Sequence, residues 1–220
     1  MINQILVVPN DNSIEHNDNP SVKHKSFKVH YRVSVILLFF SVFYFINKVY
    51  SNYKNEEFSK VLLNYYTAST VYSETPADYV VNLSNKDDTF SVIGIIEINK
   101  IGVKYPILSD MTDHLLTIAP CRFYGPMPNE IGNLAIASHN YEDTRFFSKL
   151  YTLKAGDTIN IYDNSKKKIS YVIYRIFETN ADDVSSALRT TSNTREVTLV
   201  TCNNINGNRL IVKAKEQQKG

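Results

Sequence analysis

The sequence predicts a mostly-β domain, a small barrel or sandwich of seven or eight strands, carried behind one apolar helix. Three observations predict it. From Phe90 onward, short runs rich in β-branched and aromatic residues alternate with Asn, Asp and Gly turn signals. Helical patterning in that stretch is confined to two short pieces, Thr112 to Ile118 and Asp143 to Leu150. Ahead of it, Val33 to Ile46 is fourteen residues without a charge.

In chain order, residues 1–32 are polar, rich in Asn, Ser and His, and read as a disordered tail. Lys23, Lys25, Lys28 and Arg32 form a basic cluster at its end. Residues 33–50 read as a transmembrane signal anchor, since about seventeen to twenty apolar residues cross the hydrocarbon layer. Lys48 can snorkel, Tyr44 and Tyr50 suit the interface, and Asn47 to Tyr53 offers no small-x-small cleavage site. The basic residues before the span, weighed against Lys48, Lys54 and Lys60 after it and the offsetting Glu56 and Glu57, favour an inside N-terminus. The expected location is the cell membrane, single-pass, with the N-terminus cytoplasmic and the large C-terminal part outside. Residues 51–89 read as a helical stalk followed by a linker, with Pro76 ending the helix and Asn82 to Asp88 as the link.

Residues 90–220 form the predicted β domain. Its strands are Phe90–Ile98, Val103–Leu108, Leu134–Ser138, Thr158–Tyr162, Lys168–Phe177, Glu196–Cys202 and Arg209–Lys215. A net charge of +2 and the lack of a basic stripe exclude nucleic acid as a partner. Two cysteines, Cys121 and Cys202, are too few for a disulfide framework, though one bridge between them fits the count. The five histidines show no ligand-like pairing with either, so no metal is expected.

The chemistry concentrates at two strand ends. Thr198-Leu199-Val200-Thr201-Cys202 ends an apolar run in a thiol, and Arg209 opens the next run seven residues later. A cation beside a thiol favours the thiolate, which is the nucleophile. Leu134 to Ser138 is another apolar strand, and it delivers His139 and Asn140 at its end. If these ends converge at one mouth of the barrel, Cys202 attacks a carbonyl, His139 protonates the leaving amine and Arg209 stabilises the oxyanion or positions the substrate. Thr201 and Asn140 flank the site as substrate-groove candidates, with ordinary strand-end hydrogen bonding as the alternative role. Taken singly, Cys202 reads as core, His139 as a surface residue and Arg209 as a rim charge. His114 is the other histidine available in the domain, and Cys121 beside Pro120 reads as structural.

Thr198 to Cys202 resembles the Thr-Leu-x-Thr-Cys signature of the sortases, cysteine transpeptidases of Gram-positive cell envelopes. His139 and Arg209 fall where that family has its other two catalytic residues. Ile107 to Leu116, Tyr124-Gly125-Pro126 and Phe146 to Leu150 are also similar to sortase segments, so the resemblance covers about residues 90–215. It implies an eight-stranded sortase-type β-barrel that cleaves a Leu-Pro-x-Thr-Gly-like motif between Thr and Gly. A thioacyl enzyme forms and an amine resolves it, with no metal or organic cofactor. The implied partners are secreted proteins with a C-terminal sorting signal, and an amine on peptidoglycan precursor or a pilin-like protein. The family's usual glycine before the histidine is Ser138 here. The resemblance favours a class A-like or class D-like member, with class B a further option, because Glu178 to Arg195 is short for the class B helical insertion. Two other functions use the same residues or none: a membrane-anchored cysteine hydrolase, and a non-catalytic extracellular binding domain.

Overall fold

The computed structural model describes residues 20–68, 80–82 and 89–218, apart from Ser192 and Asn204. The first part of the expected tail, the end of the expected stalk with Pro76, and residues 83–88 of the expected linker lie outside the described residues.

Helix α1 spans Pro20–Ala68 and contains the expected apolar span. It starts inside the segment read as a tail. Extending a nucleated helix adds one hydrogen bond per residue fixed, so polar residues readily join a helix started by an apolar run. The chain divides into two units, Met1–Val49 and Tyr50–Gly220. In the first, the described side chains are exposed throughout, including Phe39, Phe40, Tyr44 and Phe45. This is a helix long and apolar enough to cross a membrane.

The second unit is a closed β-barrel. Its strands are β1 (Val80–Asn82), β2 (Thr89–Ile98), β3 (Val103–Leu108), β4 (Cys121–Tyr124), β5 (Gly132–Ala137), β6 (Thr158–Asp163), β7 (Lys168–Thr179), β8 (Arg195–Cys202) and β9 (Arg209–Glu216). The order is β1-β2-β3-β4-β5-β8-β9-β7-β6, and β2 also pairs with β6. Eight strands, β2 to β9, therefore close on themselves, and β1 is appended to β2. Closure removes the open sheet edge that would otherwise invite pairing with another chain. Gly94 sits at the seam, where β2 pairs with both β3 and β6. A Cβ there would lie 2.5 Å from the Tyr162 carbonyl oxygen, so only glycine lets the strands meet.

Inside the barrel, alternate residues from these strands form one core, including Ile96, Ile107, Leu134, Ile136, Ile161, Val197, Leu199, Val212 and Ala214. A second core lies outside β2 and β3. There Phe58, Leu62 and Tyr66, four residues apart on one face of α1, pack with Phe90, Val92, Ile95, Leu108 and Leu115. The part of α1 read as a stalk thus packs along the barrel wall. Asn55 donates to the Thr117 hydroxyl at 3.0 Å and Tyr66 to the Asn164 side chain at 2.8 Å. The Lys166 ammonium donates to the Tyr66 carbonyl and stands over the Tyr66 ring at 3.1 Å, closing the last turns of the helix.

One local expectation changes, and two short elements were not foreseen. Strand β4 was hidden between Pro120 and Gly125-Pro126, and four residues are too few to show a period. The expected helix Asp143–Leu150 is a tight loop with a short 3-10 turn at Leu150–Thr152. Phe146 and Phe147 are both fully buried, and adjacent residues point in different directions around a helix axis, so one helical face cannot bury both. Thr144 and Phe146 accordingly take positive φ. The expected Thr112–Ile118 piece is present as α2 (Asp113–Leu116), capped by the Thr112 hydroxyl, and a further turn of helix, α3 (Ser185–Leu188), follows β7.

Candidate active site

Cys202 and Arg209 are cross-strand partners in the antiparallel β8–β9 pair. Directly opposed residues project from the same face, so the thiol and the guanidinium stand side by side. Arg209 Nη1 donates to Cys202 Sγ. The sulfur state that best accepts such a bond is the thiolate. The connecting loop is pinned by Asn203 N–H donating to the Asn208 carbonyl at 2.7 Å, with Gly207 at φ +75° donating back to the Asn203 carbonyl at 2.9 Å.

His139 arrives from the other side. β5 runs parallel to β8 in a register that pairs Ala137 with Val200. Two residues on, the end of β5 lies beside the end of β8. Three bonds clasp these ends together. Ser138 N–H donates to the Val200 carbonyl at 3.1 Å. The Thr201 hydroxyl donates to the Ser138 carbonyl at 2.8 Å, and the Asn140 amide to the Cys202 carbonyl at 2.8 Å. Thr201 lines the groove but spends its hydroxyl on this clasp, and Asn140 grips the backbone of Cys202.

His139, Cys202 and Arg209 line one groove of about 320 Å³, with Ser138 and Thr201 between them. Its walls are largely apolar, from Leu116, Phe123, Val184, Ala187, Val200 and Ile211. Such walls suit an extended peptide with apolar side chains. The Asn133 amide donates to the Ala187 carbonyl at 3.0 Å and fixes α3 as one wall. Sequence reading missed α3 and Phe123, because apolar residues on a short turn carry no chemical signal. It also missed Asp113, which lines the groove and holds the His139 imidazole toward its charged form.

Burial pulls the His139 pKa below its ordinary value; the Asp113 carboxylate opposes this and the Arg145 guanidinium adds to it. Arg145 sits over the Tyr141 ring at 4.2 Å, and Tyr141 is tilted against His139 at 5.1 Å. Arg145 also pairs with Asp143 at 2.9 Å and donates to the Asn52 carbonyl of α1 at 3.3 Å. The backbone of His139 is held by Phe147 N–H at 3.2 Å. Ser138 is 6% exposed, and its hydroxyl has no partner among the described residues.

Cys121 is elsewhere in chemical terms. It is fully buried in the outer core, donates to the Ala119 carbonyl at 3.3 Å, and is not bridged to Cys202. Burial, with Asp110 nearby, drives its thiol pKa far upward. His114 stands on α2 and is not among the groove residues.

A family model described as the Sortase domain matches residues 96–217, more than half of the chain. The chain belongs to the sortase family. The sortase fold is matched at 28% identity by a Sortase D5 transpeptidase of Clostridium perfringens, with a TM-score of 0.55 over 76% of this chain and 98% of that one. The pilus-related Sortase C of Group B Streptococcus matches at 26% identity and a TM-score of 0.53, over 73% of this chain and 88% of that one. Sortase A of Bacillus anthracis is 29% identical over 122 residues, which are 55% of this chain and 57% of that protein. The eight-stranded barrel of this sortase, with few helices, is the architecture its family resemblance implied.

Proposed function

We propose that this sortase is a cysteine transpeptidase in which Cys202, His139 and Arg209 carry the reaction. The observation that carries the proposal is the Cys202–Arg209 contact in the groove that His139 also lines. The substrate is a secreted protein with a C-terminal sorting signal of Leu-Pro-x-Thr-Gly type. Cys202 thiolate attacks the Thr carbonyl carbon, and Arg209 faces the oxyanion that develops. His139, as imidazolium, gives its proton to the Gly nitrogen as the C–N bond breaks, which leaves a thioacyl enzyme and a neutral imidazole. An acceptor amine, on peptidoglycan precursor or a pilin-like protein, then attacks the thioester and passes its proton to His139. Collapse expels the Cys202 thiolate and restores the starting pair. Burial lowers the His139 pKa and so works against its imidazolium form, while the Arg209 contact places a cation beside the Cys202 sulfur.

Residues 33–50 serve as the membrane anchor, with residues 1–32 in the cytoplasm and the barrel outside. The short β7–β8 connection, which holds only the single turn α3, leaves no room for a long helical insertion and favours a class A-like or class D-like member. Hydrolysis of the thioacyl enzyme by water is the competing outcome at the same residues.

The test uses the Tyr50–Gly220 unit with a mixture of Leu-Pro-x-Thr-Gly-like peptides, followed by mass spectrometry with and without hydroxylamine. Cleavage after Thr with a hydroxamate product, absent in Cys202→Ala, is expected. Cleavage that yields only the free acid in the presence of hydroxylamine makes the protein a hydrolase. Cleavage that persists in Cys202→Ala would sink the proposal.

A further inference from the structure

Beyond the wall formed by α3, the outer face of the sheet carries a second recess that the peptidase reading does not use. On β9, residues 209, 211 and 213 point to the same side, because successive side chains alternate. Arg209 and Ile211 line the catalytic groove, and Lys213 lies next along that face, roughly 13 Å from Arg209 at about 3.3 Å per residue. There Tyr174, Arg175, Ser185, Arg189 and Lys213 line a cavity of about 300 Å³.

Its charge is lopsided. Lys213 is 4% exposed, and it is the direct cross-strand partner of Arg175 on β7. Like charges directly opposed on a sheet are destabilising, so this arrangement works against the fold. Arg189, at the C-terminal cap of α3, brings a third cation. Lys213 feels both arginines, and burial together with them draws its pKa down, while Glu196 opposes. Glu196 accepts from the Tyr174 hydroxyl at 3.2 Å, and Ser185 turns its hydroxyl to Asp183 at 2.6 Å. Neither Arg175 nor Arg189 makes an ion pair with an acid among the described residues; Arg175 instead stacks on Phe177 at 4.4 Å. Three cations thus line the recess with no acid among its lining residues, and the two carboxylates at its rim, Glu196 and Asp183, are engaged by Tyr174 and Ser185.

We propose that this recess binds a phosphoryl group, carried either by a soluble phosphate compound or by a lipid headgroup. Two guanidinium forks match phosphate oxygens in bidentate geometry, and a buried ammonium supplies a point charge between them. A doubly charged phosphoryl group offsets the surplus better than a carboxylate does. Because α3 walls the catalytic groove with Ala187 and this recess with Ser185, the ligand sits one helix away from the bound peptide. The inference does not depend on which reaction the groove performs.

The test is phosphorus NMR or calorimetry on the full chain in neutral detergent. Inorganic phosphate and pyrophosphate are titrated, with acetate as the carboxylate arm and a short-chain phosphatidate as the lipid arm. Saturable binding of phosphate or pyrophosphate, stronger than acetate, is expected. Arg189→Gln and Arg175→Gln should each weaken it about tenfold, the worth of one charge-assisted hydrogen bond. Arg189 is exposed, so its variant keeps the test open should Arg175→Gln fold poorly. Tighter binding of phosphatidate than of inorganic phosphate identifies the headgroup source, and equal binding the soluble one. No saturation by ~10 mM phosphate, weak even for an open site screened by salt, would overturn the proposal. So would binding that is unchanged in both variants.

Discussion

At the scale of single residues, the two thiols of this chain are set apart by their surroundings. Cys202 is partly exposed in a groove beside Arg209, whereas Cys121 is sealed in the outer core with its pKa driven upward. Iodoacetamide should therefore modify Cys202 at least about a hundredfold faster than Cys121 in the native protein. Equal rates would show that the Arg209 contact does not activate the sulfur. Arg209→Lys keeps a positive charge but loses the planar fork, so kcat/KM should fall about 100-fold with the melting temperature nearly unchanged. Near-parental turnover would remove the guanidinium from the chemistry. Arg145→Gln takes away a cation that lowers the His139 pKa, so the imidazole should titrate at higher pH than in the parent. A proton NMR titration reads this directly, and a shift to lower pH would refute it. The Ser138 hydroxyl is sealed from solvent and has no partner among the described residues. A buried hydroxyl left unsatisfied costs stability, so Ser138→Ala should raise the melting temperature of the Tyr50–Gly220 unit by about 3 °C. A lower melting temperature would show that the hydroxyl is satisfied in the folded protein. That Cys202, His139 and Arg209 meet in one groove was legible in the sequence because each is a polar residue set at the boundary of an apolar run. Asn140 was not legible in its true contact, since nothing in the sequence says that its amide reaches the Cys202 carbonyl across two strands.

Among the elements, legibility followed length. The long strands β2, β7, β8 and β9 were placed to within two residues at either end, because alternation and turn residues agree there. β4 and α3 were lost because four residues cannot establish a period. The 143–150 loop was misread because its composition suits a helix, while burial of two adjacent phenylalanines decides otherwise. The C-terminal half of α1 was read from composition as a stalk, although Phe58, Leu62 and Tyr66 already repeat at four-residue spacing in the sequence. That stripe is buried against β2 and β3. Burial of its surroundings draws the Lys166 pKa down to about 8, while its ammonium closes the helix end over Tyr66. Lys166→Ala should cost about 1 kcal/mol, seen as a melting temperature about 3 °C lower in the Tyr50–Gly220 unit. No change would mean that the helix end is held by Tyr66 and Asn164 alone.

For the whole molecule, the division at Val49 and Tyr50 separates an exposed apolar helix from a unit with two cores of its own. Removing residues 1–49 should give a soluble protein whose melting temperature differs by less than about 2 °C from that of the full chain in detergent. Aggregation of the truncated protein would show that the first unit contributes to the fold. The barrel class was readable from strand spacing, but its closure was not. Pairing of β2 with β6 and the parallel pairing of β5 with β8 join segments far apart in the chain, and local pattern holds no record of either. The strand order has a consequence in time. β9, although last in sequence, lies between β8 and β7 in the middle of the sheet, and it carries Arg209. A nascent chain that has released Cys202 but not yet Arg209 has neither a closed barrel nor a cation for its sulfur. On the proposed mechanism the protein is chemically quiet during its own synthesis, and its reactivity begins with the strand that completes it.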